Sequence, residues 1–341
     1  MVKNDKPKIS VVIPVYKVGK YIENSIKSVC YQTFSDYEVI LVDNNSPDDS
    51  IEIAERLLKN EDINYRVIKQ TIQGLPAARN KGIEEARGEW IISIDPDDTI
   101  SKYFLKELYT CAVSNHVDYV FSKYQSAKSD TLFEFKEEKE KGRIIIYDQK
   151  DILMDLLTRR NPLMVSNMFF RKASFVENNF KFDEKVILGA DLILLWLILY
   201  SQEKVAFINK PLYNHFTRPD SLMTAPSWEK LKTNREGYQR MCEIVSNKYS
   251  RAMSELILSR SLYAELCVLS IYGKYSFFRK FYNEYYSGKT HKVLQQFPDR
   301  KVRLTDLLLY YSPGAFFIIN KVFRNPKYKL SRLTSKFSKR I

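Results

Sequence analysis

The sequence predicts an α/β fold, a mostly parallel sheet flanked by helices, followed by a separate helical region. Three observations lead there. Short β-branched and aromatic runs alternate with helical patterns through the first 125 residues, a spacing that demands strand–helix–strand crossovers. Polar residues crowd directly behind three of those runs, at the strand ends where such sheets bind ligands. The charge balance also splits the chain: residues 1–220 hold 31 Lys+Arg against 33 Asp+Glu, whereas 221–341 hold 23 against 8.

Taken in order, KISVVIPVY, YEVILVDN, NYRVIKQ, EWIISID and DYVFSKY read as strands. Helical patterns lie between them over 20–32, 48–59, 75–87 and 101–114. The charged stretch SAKSDTLFEFKEEKEKG, 126–142, reads as an exposed loop or hairpin. RIIIYD, SNMFFRK and KVAFINKPLYNHF follow as later strands, with helices near 150–158 and 190–201. From about residue 227 the pattern turns helical and aromatic, as in SFFRKFYNEYY. No internal repeat is present.

With 45% hydrophobic and 28% charged residues the composition is globular. MVKNDKPK runs straight into a strand, so no signal peptide is expected. The four cysteines lack metal-ligand spacing and read as reduced thiols of a cytosolic protein. No apolar run is long enough to span a membrane; the longest, LLLYYSPGAFFII at 307–319, is interrupted by Ser312-Pro313-Gly314. Missing motifs exclude further classes. There is no GxGxxG behind the first strand, no GxxxxGK[ST] and no GxSxG, which argues against dinucleotide, P-loop and serine-hydrolase chemistry.

EWIISIDPDDTI carries the first candidate site. Asp95, Asp97 and Asp98 crowd together where a strand ends, and like charges so close raise one another's pKa unless a cation intervenes. A helix N-terminus explains one or two acids. It does not explain a third, nor the stiffening Pro96. A divalent cation, Mn²⁺ or Mg²⁺, accounts for all of them through hard oxygen ligands. The second cluster is Asp43 and Asn44 at the next strand end, where a carboxylate or amide meets a base or a ribose hydroxyl; turn and cap chemistry covers Asn45 to Asp48. The third is Gly74-Leu75-Pro76-Ala77-Ala78-Arg79-Asn80-Lys81-Gly82. Its small residues let a helix lie close to the sheet, and Arg79 is placed to grip a phosphate. A solvated surface arginine is the alternative.

Together these stretches, with LGADLILLWLILY and KPLYNHFTRPDSL, resemble family 2 glycosyltransferases of the GT-A fold over roughly residues 8–222. The resemblance implies a nucleotide-sugar donor, usually a UDP-sugar, and inverting transfer to an acceptor hydroxyl. It puts Tyr16 on the base, and Asp43 and Asn44 on base and ribose. Many members carry Asp-Asp at the latter pair, so Asn44 is a departure that loosens the expectation of uridine. It puts Arg79 on the diphosphate or its loop, and Asp95 and Asp97 in a DxD metal motif adjoined by Asp98. Asp191 matches the catalytic base, with Ala190 in place of the usual glutamate; helix capping is a compatible role. His215 and Arg218 fall in a late loop that closes on phosphates or acceptor, with a packed, hydrogen-bonded histidine as the alternative.

The expected organisation is a catalytic domain over 1–220, a helical region over 221–300 and a basic aromatic tail over 301–341. The stretch 321–341 alone carries eight Lys/Arg and no acid, which suits an anionic membrane surface better than nucleic acid, for which the enzyme body gives no reason. This predicts a peripheral protein on the cytoplasmic face of the membrane. The resemblance to bacterial members of the family implies an acceptor that is an oligosaccharide or a lipid-linked one, in bacterial surface-polysaccharide synthesis. A sugar nucleotidyltransferase and a catalytically idle scaffold are the remaining alternatives. The first would need a Gly-rich phosphate loop that IPVYKVGKY lacks.

Overall fold

The computed structural model describes residues 6–127, 142–159, 163–216, 227–246 and 251–324. The chain divides into two compact units, residues 1–218 and 219–341. The distal parts of two sequence features, the charged loop (128–141) and the basic tail (325–341), lie outside the described residues, as does Arg218.

The first unit opens with alternating strands and helices: β1 (Ile9–Val15), α1 (Ile22–Cys30), β2 (Tyr37–Asp43), α2 (Ser50–Asn60), β3 (Tyr65–Lys69), α3 (Leu75–Glu85) and β4 (Trp90–Ser93). These strands pair in parallel in the order β3-β2-β1-β4. All seven residues of β1 are buried, as the unbroken apolar runs require of strands covered on both faces. The register sets Val15 opposite Asp43 and Val12 opposite Ser93. The chain therefore leaves β1, β2 and β4 at one edge, bringing Tyr16, Asp43 and Asp95 to that edge together.

The remaining elements of this unit are β5 (Thr99–Ile100), α4 (Phe104–Asn115), β6 (Tyr119–Ala127), β7 (Arg143–Asp148), α5 (Gln149–Thr158), a 3₁₀ turn (Val165–Asn167), β8 (Met168–Arg171), α6 (Lys172–Glu177), α7 (Ala190–Ser201) and β9 (Lys204–Phe216). They continue the sheet in mixed fashion. β8 lies antiparallel between β4 and β6, while β9 runs parallel to β6 and antiparallel to β5 and β7. Trp90 of β4 stacks on Phe169 of β8 with ring centroids 5.1 Å apart, joining the two halves through the core.

The sequence suggests that the helix after the acidic cluster starts at 101, but α4 starts at Phe104, and Thr99–Ile100 form a short strand on β9. The acids Asp95 to Asp98 thus occupy a strand-to-strand turn and not a helix start.

The second unit is helical: α8 (Trp228–Ser246), α9 (Arg251–Tyr272), α10 (Tyr275–Tyr285), α11 (Gly288–Gln295), α12 (Arg300–Tyr311) and α13 (Pro313–Arg324). Its core is aromatic, with Phe278, Phe281 and Phe297 fully buried. On α13, Phe316 and Phe317 face inward while Ile318, Ile319 and Phe323 are exposed. Among the described residues no helix is long and apolar enough to cross a membrane.

Candidate active site

Arg79 is the centre of the site. It sits on α3, which lies close to the sheet because Gly82 has no side chain; a Cβ there would meet Val12 Cγ1 at 2.2 Å. Arg79 is 0% exposed. Its Nη2 donates to Asp95 Oδ1 at 2.5 Å, and its Nη1 donates to Asp191 Oδ1. The guanidinium also lies 5.4 Å from the centroid of the Phe182 ring. Burial alone would lower the arginine's pKa, but the two carboxylates, Asp191 foremost, more than offset it and leave it raised. This differs from the sequence expectation of an arginine reaching phosphate directly. A buried cation between two acids orients them instead.

The neighbouring Asn80, not singled out from sequence, fastens the same region. Its Nδ2 donates to Phe182 O at 3.0 Å and Glu184 Oε1 at 2.9 Å, and its Oδ1 accepts from Phe182 N at 2.9 Å. That segment leads into Gly189, whose φ of +91° is left-handed and favours glycine. α7 starts immediately after it, with Asp191 in its first turn, where the helix dipole suits a carboxylate. No described residue hydrogen-bonds to Asp191 Oδ2. Ala190 is 4% exposed and offers no polar group.

The acidic turn divides its labour. Asp95 and Asp97 are partly exposed, and Asp95 is held by Arg79. Asp98 is 0% exposed and fully engaged by β9: Tyr213 Oη donates to Oδ2 at 2.6 Å, Phe216 N donates to Oδ1 at 2.7 Å, and His215 Nδ1 lies 3.3 Å from Oδ2. Asp98 therefore anchors the turn and does not present its oxygens to an ion, contrary to the sequence expectation. Burial foremost, with the nearby Asp95 charge, pushes the Asp98 carboxyl above its usual range, although His215 opposes this. The same hydrogen bond raises the His215 imidazole. His215 is hydrogen-bonded to Asp98 and its ring is edge-on to Tyr124 at 6.0 Å, while its side chain stays 38% exposed.

Among the described residues no three His, Cys, Asp or Glu side chains converge on a metal position. The donor set still fits Mn²⁺ or Mg²⁺. Asp95 and Asp97 are hard, partly exposed carboxylates, and such ions take one or two of these plus substrate phosphates.

On the nucleotide side, Tyr16 is 48% exposed just beyond β1. Asp43 is partly exposed, with Oδ1 accepting from Ser46 N at 2.9 Å. Asn44 is 2% exposed and turned inward. Its Nδ2 donates to Gln70 O at 3.1 Å and Ile72 O at 2.7 Å, while its Oδ1 accepts from Gly74 N at 2.8 Å and Gln73 Nε2 at 3.4 Å. The whole amide is spent on the loop between β3 and α3. An aspartate could not donate to those two carbonyls, which gives the departure at this position a structural reason.

A cavity of about 330 Å³ opens beside Asp95, Asp191 and His215. Leu156 of α5 and Leu192 and Leu195 of α7 share its remaining wall with Tyr124, Arg159 and Ser166, among others.

Three comparisons match the chain to known proteins. The family model described as glycosyl transferase family 2 matches residues 10–179. The Campylobacter jejuni GalNAc(5)-diNAcBac-PP-undecaprenol beta-1,3-glucosyltransferase is 30% identical over 247 residues, 71% of this chain and 75% of that protein. The uncharacterized glycosyltransferase EpsJ of Bacillus subtilis is 33% identical over 221 residues, and this chain spans 64% of its length. Among solved structures, S. aureus TarS 1-349 in complex with UDP-GlcNAc superposes with a TM-score of 0.65 at 20% identity, covering 95% of this chain and 92% of that one. That likeness is one of fold.

Proposed function

The chain belongs to glycosyl transferase family 2, and on that premise we propose that it transfers a sugar from a UDP-sugar to an acceptor hydroxyl with inversion. One observation carries this reading: Arg79 holds Asp191 and Asp95 beside a single cavity. A base on one side and a donor-facing acid on the other is what a one-step displacement needs.

In the reaction, Asp191 takes the proton of the acceptor hydroxyl as its oxygen attacks the anomeric carbon. The bond to the nucleoside diphosphate breaks, and the diphosphate leaves with the bonding pair on the opposite face. General-base assistance of this kind contributes roughly a hundred- to ten-thousand-fold. A bound Mn²⁺ or Mg²⁺ at Asp95 and Asp97 supplies positive charge against the departing diphosphate. Arg79 is a positioning residue, fixing both carboxylates without touching the reacting atoms. Tyr16 packs on the base, Asp43 meets the ribose or base, and Asn44 holds the loop that borders them. His215 lines the cavity and steadies Asp98.

The TarS structures bound to UDP-GlcNAc and UDP support a UDP-sugar donor, and the Pyrobaculum calidifontis mannosyltransferase PcManGT, in complex with GDP-Man and Mn²⁺, supports the metal. The undecaprenol-linked substrate in the name of the C. jejuni relative supports a lipid-linked acceptor in bacterial surface-polysaccharide synthesis. Exposed Ile318, Ile319 and Phe323, beside Lys321 and Arg324, support peripheral attachment of the helical unit to an anionic cytoplasmic membrane face.

Calorimetric titration with UDP, GDP, CDP and dTDP, each with Mn²⁺ and with EDTA, tests the reading. Metal-dependent binding selective for UDP is the expected result. Binding of none of the four would overturn it.

A further inference from the structure

The charged side chains on the cavity wall beside Asp191 are mostly engaged within the protein. Arg79 holds Asp95 and Asp191, and Asp98 holds His215. Two donors on the same wall differ. Among the described residues, neither the guanidinium of Arg159 nor the hydroxyl of Tyr124 has a hydrogen-bond or ion-pair partner. Burial raises the Tyr124 hydroxyl and the Arg159 charge opposes that rise, so the guanidinium lies near enough to act on the tyrosine.

Both residues are fixed at their roots. Tyr124 stands on β6, partly buried. Arg159 ends α5 in a left-handed conformation with φ of +54°, its backbone N–H donating to Asp155 O. Glycine fits such a helix end without strain. Backbone geometry therefore disfavours an arginine here, and the case for one lies in its side chain. The space also faces away from the donor. Tyr16, Asp43 and Asp97 do not line it, Asp191 does, and Asp95 stands where the two sides meet.

Resting on the transferase reading above, we propose that Arg159 and Tyr124 clamp an oxyanion carried by the acceptor beside the hydroxyl that Asp191 deprotonates. The acceptor is then an acidic saccharide. Its oxyanion is a carboxylate or a phosphate ester, and both present paired oxygens to a planar guanidinium fork. Arg79 already offsets part of the negative charge of Asp95 and Asp191, so the incoming anion does not meet two unscreened acids. A neutral acceptor would displace water from Arg159 without giving it a counter-charge.

Calorimetry on the full chain tests this, with UDP and Mn²⁺ saturating so that the donor's own phosphate position is filled. The probes are methyl β-glucoside, methyl β-glucuronide and methyl β-glucoside 6-phosphate. One acidic probe should bind about ten- to a hundred-fold tighter than the neutral one, the range for hydrogen bonds to a charged group. Preference for the glucuronide identifies a carboxylate, and preference for the phosphate a phosphate ester. Arg159→Gly removes the fork while easing the left-handed backbone, so it should erase the preference without lowering the unfolding midpoint. Tyr124→Phe should reduce the preference by roughly three- to tenfold. Equal affinities, no binding of any probe, or a preference untouched by Arg159→Gly would overturn the clamp. Loss of UDP affinity in Arg159→Gly, with no acidic preference in the wild type, would place the arginine on the donor diphosphate instead. If the wild type binds no UDP, the donor reading falls, and the same comparison without nucleotide still decides the clamp.

Discussion

Asp95 and Asp191 share one counter-ion: the guanidinium of Arg79, fully buried, hydrogen-bonds to both carboxylates. The acid proposed to face the metal and the acid proposed as the base are thereby set by a single side chain. Arg79→Lys keeps the charge but cannot reproduce a fork that reaches two acids at once. The expected outcome is a fall in kcat of about ten- to a hundred-fold, on the order of 1 to 3 kcal/mol of transition-state stabilisation. UDP affinity should change far less. Steady-state kinetics beside UDP calorimetry check the split, and a loss confined to UDP affinity would argue for direct phosphate contact instead.

Asp191→Asn removes the base while leaving an amide of the same shape to accept from Arg79. Transfer should drop by roughly a hundred- to ten-thousand-fold with UDP binding intact. Near-normal turnover would remove Asp191 from the mechanism.

Asp97→Ala should weaken UDP binding in Mn²⁺ and leave the weaker binding in EDTA unchanged. Equal affinity for wild type and variant in Mn²⁺ would take Asp97 out of the metal site.

Asn44→Asp, which restores the acid expected at this position, should harm the protein. It would set a carboxylate against the carbonyls of Gln70 and Ile72, a change costing about 1 to 3 kcal/mol. A lower unfolding midpoint and faster proteolysis at residues 70–74, with base preference unchanged, are the expected signs. A switch in nucleotide preference without loss of stability would show that residue 44 reads the base after all.

A pH effect is expected from the helical unit. Glu265 is buried on α9, 3.5 Å from Arg235, and burial pushes its carboxyl up to about 7 despite that partner. Between the ordinary carboxylate range and pH 7 the folded chain thus binds a proton that the unfolded chain does not. The stabilisation is complete at low pH and is lost as pH rises through 7. Scanning calorimetry from pH 5 to 7.5 should show the helical unit melting progressively lower, and Glu265→Gln should flatten that slope. An unchanged slope would exclude Glu265 as its source.

Much of this could be read from the sequence because it depends on local pattern. β1, β2 and β4 are unbroken apolar runs, and the polar residues that follow them announce a ligand edge. What escaped depends on partners far along the chain. β5 is two residues long, too short for any periodicity, and exists because β9 pairs with it. Asp98 reads like its neighbours Asp95 and Asp97 until Tyr213, Phe216 and His215 claim it. The depth of Arg79 depends on Asp191, 112 residues later. Asn44 gives no sign in its own surroundings that its amide is turned inward. Phe182, against the guanidinium, has no signal in the sequence at all.

Those long separations carry a consequence for synthesis. A nascent chain with only β1 to β4 outside the ribosome has its parallel half-sheet, yet Arg79 has no Asp191 and Asp98 has no β9. Residues up to Asp191 must emerge before Arg79 has both its acids, and up to Phe216 before Asp98 has its β9 partners, so the candidate cleft is among the last parts of this unit to be completed and stays wet until then. Slow release of that segment would prolong the exposure of unpaired charge and open sheet edge, the state in which a growing chain most needs a chaperone.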